Sequence, residues 1–226
     1  MTLALGIETA TTRLSVALGT EDGIVASISI DGDRRHVEVL APTIRSLCDL
    51  ARITLSDLDL VAVDCGPGLF TGMRVGIATA QGLCIGLGVT VVPVRSVDVV
   101  AHPLRHGAKP VVVVIDARRG EVFRALYRGG AAVADIACTT PAAVAAEIAE
   151  LGPCLAVGDG AVRHRSALES AGDVEVLGAW PEAAAVVELA LSALGSDPAV
   201  AVDPALLQAL YLREADARPN FAVARS

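Results

Sequence analysis

Glu8 and Asp116 are the first residues in this chain that could do chemistry. Each closes an apolar run, Leu3 to Ile7 and Val111 to Ile115, and paired carboxylates facing a cleft can hold a metal-bound nucleotide. Thr9, Thr11 and Thr12 follow Glu8 and add hydroxyl groups. Glu8, Thr9, Thr11 and Asp116 are therefore the candidate nucleotide-binding residues; capping of neighbouring turns is the alternative use of strand-end acids. A second feature is the loop from Asp64 through Gly66, Pro67, Gly68 and Gly72 to Gly76, which follows a strand and opens a helix. Glycines there let the backbone approach an anion, and they are equally what a tight strand-to-helix turn requires. His102 and His106 have the spacing of a helical metal pair, but Pro103 and Gly107 interrupt a helix and no third ligand is near, so both are expected as exposed loop histidines. His36, beside Arg34 and Arg35, reads as a solvated turn residue.

The remaining inventory is mostly exclusion. Lys109 is the sole lysine and no Ser or Thr follows it, so a Walker A loop is absent. There is no Gly-x-Ser-x-Gly elbow. The five cysteines, at 48, 65, 84, 138 and 154, match neither a zinc nor a redox pattern and read as reduced core residues. A net charge of -8 with only 3% aromatic residues argues against a stand-alone nucleic-acid-binding module. The start of the chain carries no basic region, so a cytoplasmic protein is expected. The uncharged stretch from Val75 to Val94 is long enough to span a bilayer, but Pro93, Gln81 and four glycines divide it into a small-residue helix and a buried strand.

The elements that must position these groups come from a repeat. Ile7 to Leu18 lies without a gap on Ile115 to Leu126, at a constant offset of 108. Each copy reads as a strand ending in an acid, a small turn and a second strand; third strands are expected over Ile24 to Ile30 and Ala131 to Ile136. Helices are expected over about Arg35 to Arg52 and Met73 to Leu87, with strands Leu58 to Asp64 and Val89 to Val94. The second half offers helices near Pro141 to Leu151, Pro181 to Leu194 and Pro204 to Leu210, and a strand at Cys154 to Val157. A three-stranded meander followed by alternating helices and strands is a ribonuclease-H-like α/β lobe. Duplicated, it is the architecture of the actin, sugar-kinase and heat-shock ATPase superfamily, with lobes at 1–104 and 105–205 and a helix and tail at 206–226 returning to the first lobe.

The helix opening at the glycine loop carries one charge, Arg74, and small residues at four-residue spacing: Gly72, Gly76 and Ala80, and Ala78, Gly82 and Gly86. A helix apolar all round must be buried on two sides. Val39, Leu50, Met73, Ile77, Ala80 and Cys84 are accordingly expected on an apolar face that meets a partner.

Four segments in this order resemble the TsaB (YeaZ) family: Leu5 to Thr11, Gly66 to Gly76, Val114 to Phe123 and Leu210 to Arg213. The one departure is Leu69, where the family usually has Ser. The resemblance implies a non-catalytic subunit of the machinery that makes threonylcarbamoyladenosine in tRNA. It implies a TsaD-type partner that carries the transfer chemistry, a TsaE-type ATPase in the full complex, tRNA contact through that complex, and a homodimer when TsaD is missing. It places Ser96 and Val100 where the paralogous TsaD has its two metal-binding histidines, so no metal is expected here, and ATP and the metal belong to the partner subunits. The competing classes are a stand-alone ATPase or small-molecule kinase of the same superfold, and a peptidase-like protein.

Overall fold

All five residues of β1 (Ala4–Glu8) and of β4 (Leu60–Asp64) are buried, as a pair of parallel strands covered on both faces requires. They form the centre of the first of two sheets in a computed structural model that describes residues 1–32 and 35–212. Around them stand β2 (Arg13–Thr20), β3 (Gly23–Asp31), α1 (His36–Ala51), α2 (Phe70–Leu87), β5 (Thr90–Val94) and a short α3 (Ser96–Ala101). The sequence order then repeats through β6 (Val111–Arg118), β7 (Glu121–Arg128), β8 (Ala131–Ala132), β9 (Ala137–Thr139), α4 (Pro141–Leu151), β10 (Cys154–Val157), α5 (Asp159–Arg163), α6 (Arg165–Glu169), β11 (Val174–Leu177) and α7 (Ala183–Ser196).

The first sheet runs β3-β2-β1-β4-β5, and the second runs β11-β10-β6-β7, with β8 and β9 both on β7. β1 is antiparallel to β2 and parallel to β4; β6 is likewise antiparallel to β7 and parallel to β10. The repeat read from the sequence therefore places its two copies at equivalent positions, and the fold is the duplicated ribonuclease-H-like α/β arrangement of the actin-like superfamily. One strand differs. The third strand of the second copy is broken into β8 and β9: Gly129 and Gly130, both at positive φ, make a tight hairpin that pairs Arg128 with Ala131, and the strand is then interrupted over 133–136 before β9 pairs with β7.

Two helices, α3 and α7, leave their own sheet. α3 packs Val97, Val100 and Ala101 against Val111, Val113, Ile115 and Phe123 of the second sheet. α7 packs Ala183, Val186, Val187 and Ala190 against Ala4, Ala17, Leu60 and Ala62 of the first. This corrects the assignment of that helix to the 105–205 lobe. The strand face under α7 is built from Ala and Gly, which lets the helix axis come close: a Cβ on Gly6 would lie 2.6 Å from the Ala183 carbonyl oxygen and 2.7 Å from Val187 Cγ2. The opposite face of the first sheet, Leu5, Ile7, Val16, Leu18, Val61 and Val63, is covered by α1 and α2.

The helix expected over 204–210 is a 3-10 turn, Pro204–Leu206, followed by extended chain. Its carbonyls are taken from outside: Gln81 Nε2 of α2 donates to the oxygens of Pro204 and Leu207. The segment does return to the first sheet, where Val202 N donates to Val91 O, Leu207 is buried and Leu210 N donates to Cys65 O. Residues 213–226 of the expected tail lie outside the described residues, as does Arg213.

Gly6→Ala is expected to destabilise the chain by about 2 kcal/mol by overpacking β1 against α7. Gly82→Ala, where nothing lies within 4 Å of the new methyl group, is expected to stabilise it by about 0.5–1 kcal/mol through helix propensity. Urea unfolding of the two variants checks both signs.

Candidate functional site

The glycine-rich loop lies against the turn between β1 and β2, backbone to backbone. A Cβ on Gly68, Gly72 or Gly76 would collide with Ala10 O, Thr9 O or Thr9 Oγ1. Thr9 Oγ1 donates to the Gly72 carbonyl at 2.8 Å, and the Leu69 amide donates to Ala10 O at 2.6 Å. Thr9 and Thr11 are buried, and Thr11 Oγ1 accepts from the Arg13 amide at 3.3 Å. The glycines thus serve close packing, and the Leu69 amide, which an anion-binding loop would present to its ligand, is spent within the chain.

The carboxylates also regroup. Glu8 is fully buried, with Oε1 accepting the Ala10 amide at 2.7 Å. Its electrostatic neighbours are Asp64 and Glu182, not Asp116. Asp64, equally buried, accepts the Gly66 amide at 2.8 Å and the Ser96 hydroxyl at 2.6 Å, both on Oδ1. Burial, and then the Asp64 charge, holds the Glu8 carboxyl well above the usual carboxylate range. Burial lifts Asp64 to about 7 against the opposing pull of Ser96 and Gly66. Asp116 sits between two guanidinium groups, Arg118 at 3.2 Å and Arg163 at 3.1 Å. Its own amide donates to Asp159 Oδ1 at 3.0 Å. The four candidate nucleotide residues are consequently not one site: Glu8, Thr9 and Thr11 are enclosed, and Asp116 is neutralised locally by arginines. They do not fit a metal-bound nucleotide, and among the described residues no three His, Cys, Asp or Glu side chains converge as metal ligands would.

His106 is exposed outside the helices, as expected, but His36 and His102 differ from expectation. His36 is buried, its Nε2 3.1 Å from Arg13 O. His102 is not a free loop residue but is paired with Glu188 of α7 at 2.7 Å, because the crossing of α7 brings that carboxylate to it. Ser96 and Val100 are buried as well; Ser96 is the donor to Asp64.

The expected partner face requires the largest correction. Met73, Ile77, Ala80 and Cys84 are 2%, 7%, 0% and 1% exposed and form the side of α2 that packs on the first sheet, with Val39 of α1 half-buried against the same core. Of the six, only Leu50 is at the surface. A helix apolar all round does not reveal which side its own sheet will take; the sheet takes the side bearing Gly72 and Gly76, where the backbones can touch. What remains outside is Phe70, Thr71, Arg74, Ala78, Gly82 and Ile85 of α2, with Val37, Ala41 and Leu50 of α1. Between Val37 and Ala41 on one side and Phe70, Arg74 and Ala78 on the other runs a groove of about 500 Å³, continued by one of about 320 Å³ beside Cys48 and Leu83. Arg74 stacks 3.8 Å over the Phe70 ring and donates from Nε to the Tyr211 hydroxyl at 2.9 Å. Two of the motifs in the sequence are thereby joined across 137 positions, a contact with no local signal. Asp64, the other residue sequence reasoning passed over, does have one: like Glu8 and Asp116 it is an acid closing an apolar strand.

Gly72→Ala is expected to cost about 3 kcal/mol of stability, at the upper end for overpacking, because its methyl group would strike a backbone oxygen rather than a movable side chain. Guanidinium unfolding measures it; a change under about 0.5 kcal/mol would mean that the loop is loose.

Comparison with known proteins follows the same lines. The family model described as TsaD, tRNA N6-adenosine threonylcarbamoyltransferase, matches residues 20–196. An uncharacterized protein of Mycobacterium leprae is 33% identical over 97% of this chain, which spans 57% of that protein. The tRNA threonylcarbamoyladenosine biosynthesis protein TsaB of Escherichia coli is 35% identical over 126 residues, 55% of this chain and 54% of that protein. This chain therefore spans little more than half the length of these curated relatives. Among solved structures, YeaZ from Pseudomonas aeruginosa superposes with a TM-score of 0.81 at 28% identity, covering 94% of this chain and all of that one. A shared fold across nearly the whole chain, the matched family model and named relatives above 30% identity lead to one conclusion: the chain belongs to the TsaB/YeaZ family.

Proposed function

We propose that this chain acts in the biosynthesis of threonylcarbamoyladenosine in tRNA, as a subunit that binds and supports a TsaD-type transferase and has no transfer chemistry of its own. The reading extends to a complex with a TsaE-type ATPase, in which tRNA is met through the assembly, ATP and the metal are held by the partners, and a homodimer forms when the TsaD-type subunit is missing. Such a complex transfers threonylcarbamoyl to the adenosine 3′ of the anticodon in tRNAs reading codons that begin with A. A cytoplasmic location goes with this role; among the described residues no helix is long and apolar enough to cross a membrane.

The observation that carries the reading is the outer face of α1 and α2. Val37, Leu50, Phe70 and Ile85 are 69%, 73%, 52% and 71% exposed, and Val37 and Phe70 line the groove between the two helices; exposed apolar side chains beside a groove are the kind of surface that marks a protein interface. The stand-alone ATPase or kinase reading and the peptidase reading gain no support from the geometry, since the carboxylates that would hold a metal-bound nucleotide are buried apart or paired with arginine. The chain's acidity also suits recruitment of tRNA by an assembly better than by this subunit alone.

Ala78→Arg, on the outer side of α2, is expected to leave the melting temperature within a few degrees, since exposed substitutions of this kind shift stability little. It should abolish co-purification with the TsaD-type subunit and lower threonylcarbamoyladenosine in bulk tRNA to the level of a depleted strain. Retained co-purification and normal modification would remove this face from the interface. Ala80→Arg, two residues away, is expected to unfold the chain instead, by burying an unpaired charge against β4.

A further inference from the structure

The mechanism of a partner subunit makes no use of Glu8 and Asp64, yet they are the most deeply enclosed acids described. β1 and β4 pair in parallel register up to Ile7 opposite Val63, so Glu8 and Asp64 are the next residues on adjacent strands and share the sheet face that α7 covers. One oxygen of each is satisfied: Glu8 Oε1 by the Ala10 amide, Asp64 Oδ1 by the Gly66 amide and the Ser96 hydroxyl. The other oxygen of each, Glu8 Oε2 and Asp64 Oδ2, is buried with no hydrogen-bond partner. Two buried acceptors without a donor on neighbouring strands are costly unless something is held between them.

We propose that Glu8 and Asp64 form a one-proton binding site, in which a single hydrogen is shared between Glu8 Oε2 and Asp64 Oδ2. The carboxyl of one donates to the carboxylate of the other, so both orphaned oxygens are satisfied and the pair carries one negative charge instead of two.

The surroundings favour the shared proton. Glu182, beginning α7, and Asp98, in α3, add negative potential to Glu8 and Asp64 respectively. Both are themselves offset at their outer sides, Glu182 by Arg13 at 3.5 Å and Asp98 by Arg95 and the Tyr127 hydroxyl. The Cys65 thiol beside Asp64 is pushed up to about 12 by burial and the Asp64 charge, so it supplies no competing charge near neutrality. The Ser15 hydroxyl oxygen on β2 accepts the Ala183 amide at 2.8 Å, and no hydroxyl donates to Glu8 Oε2. Among the described residues, the charged neighbours that act on the two acids are carboxylates. The site lies where the ends of β1 and β4 meet the first residue of α3 and the start of α7, the two helices exchanged between sheets. Loss of the proton puts two like charges at that junction.

The sign of the pH dependence follows. Both carboxyl groups titrate higher in the folded chain than in the unfolded chain, where they lie near about 4, so the folded state holds the extra proton. Its stabilising effect is complete below about pH 4 and is lost as pH rises through about 7 and beyond. In Glu8→Gln a carboxamide donates permanently to Asp64 in place of the proton. Urea unfolding from pH 5 to 9 should show the folding equilibrium of the wild type falling relative to E8Q by about tenfold per pH unit over the window, the slope of one proton, with E8Q more stable than wild type at pH 9. Infrared spectra at pH 7 should contain a protonated-carboxyl C=O band that E8Q removes. Parallel stability curves, or absence of that band, would overturn the proposal. So would calorimetric binding of Mg²⁺ or Mn²⁺ that releases a proton in wild type and is lost in E8Q, since the pair would then be a cation site.

Discussion

The contact between the β1–β2 turn and the glycine loop fixes the rest of the first lobe. Because Gly68, Gly72 and Gly76 carry no side chain, α2 is drawn onto Thr9 and Ala10 until backbones touch, and the Thr9 hydroxyl and the Leu69 amide lock the two together. That contact sets the rotation of α2 about its axis. It sends Met73, Ile77, Ala80 and Cys84 into the core and leaves Phe70, Arg74, Ala78 and Ile85 outside. The outer face of the helix is therefore a consequence of how its inner face must pack.

The same economy governs the cleft. Three strand-end acids, Glu8, Asp64 and Asp116, each have partners within the chain. Asp116 is bracketed by Arg118 and Arg163 on a tight hairpin whose Arg118 and Arg119 adopt positive φ. Glu8 and Asp64 end adjacent strands on the face under α7, with Ser96 of α3 donating to Asp64. Hydrogen bonds within the chain satisfy one oxygen of each of Glu8 and Asp64.

Exchange of α3 and α7 between the sheets ties the halves into one body. Small side chains on β1, β2 and β4 admit α7 at close range, and the extended segment after it returns along β5 and α2 through Val202, Leu207 and Leu210. Tyr211 then reaches Arg74 at the edge of the outer groove, so the C-terminal part of the described chain helps to shape that surface.

The sequence by itself determined the duplication and the strand order within each meander. Those features are written in local periodicity and in an ungapped offset: β2 and β7, Arg13–Thr20 and Glu121–Arg128, begin and end 108 residues apart. The motifs from Leu5 to Thr11 and from Gly66 to Gly76 were equally legible and carried the family. Only the tertiary structure decided which side of α2 is inside, because a helix of Gly, Ala, Ile and Val has no polar arc to mark its outer face. It alone paired Glu8 with Asp64 rather than Asp116, since register between strands that are distant in sequence leaves no trace in either segment. And it alone moved α7 onto the first sheet, where the physical reason is a strip of Ala and Gly contributed by three separate strands, visible as a surface only once they lie side by side.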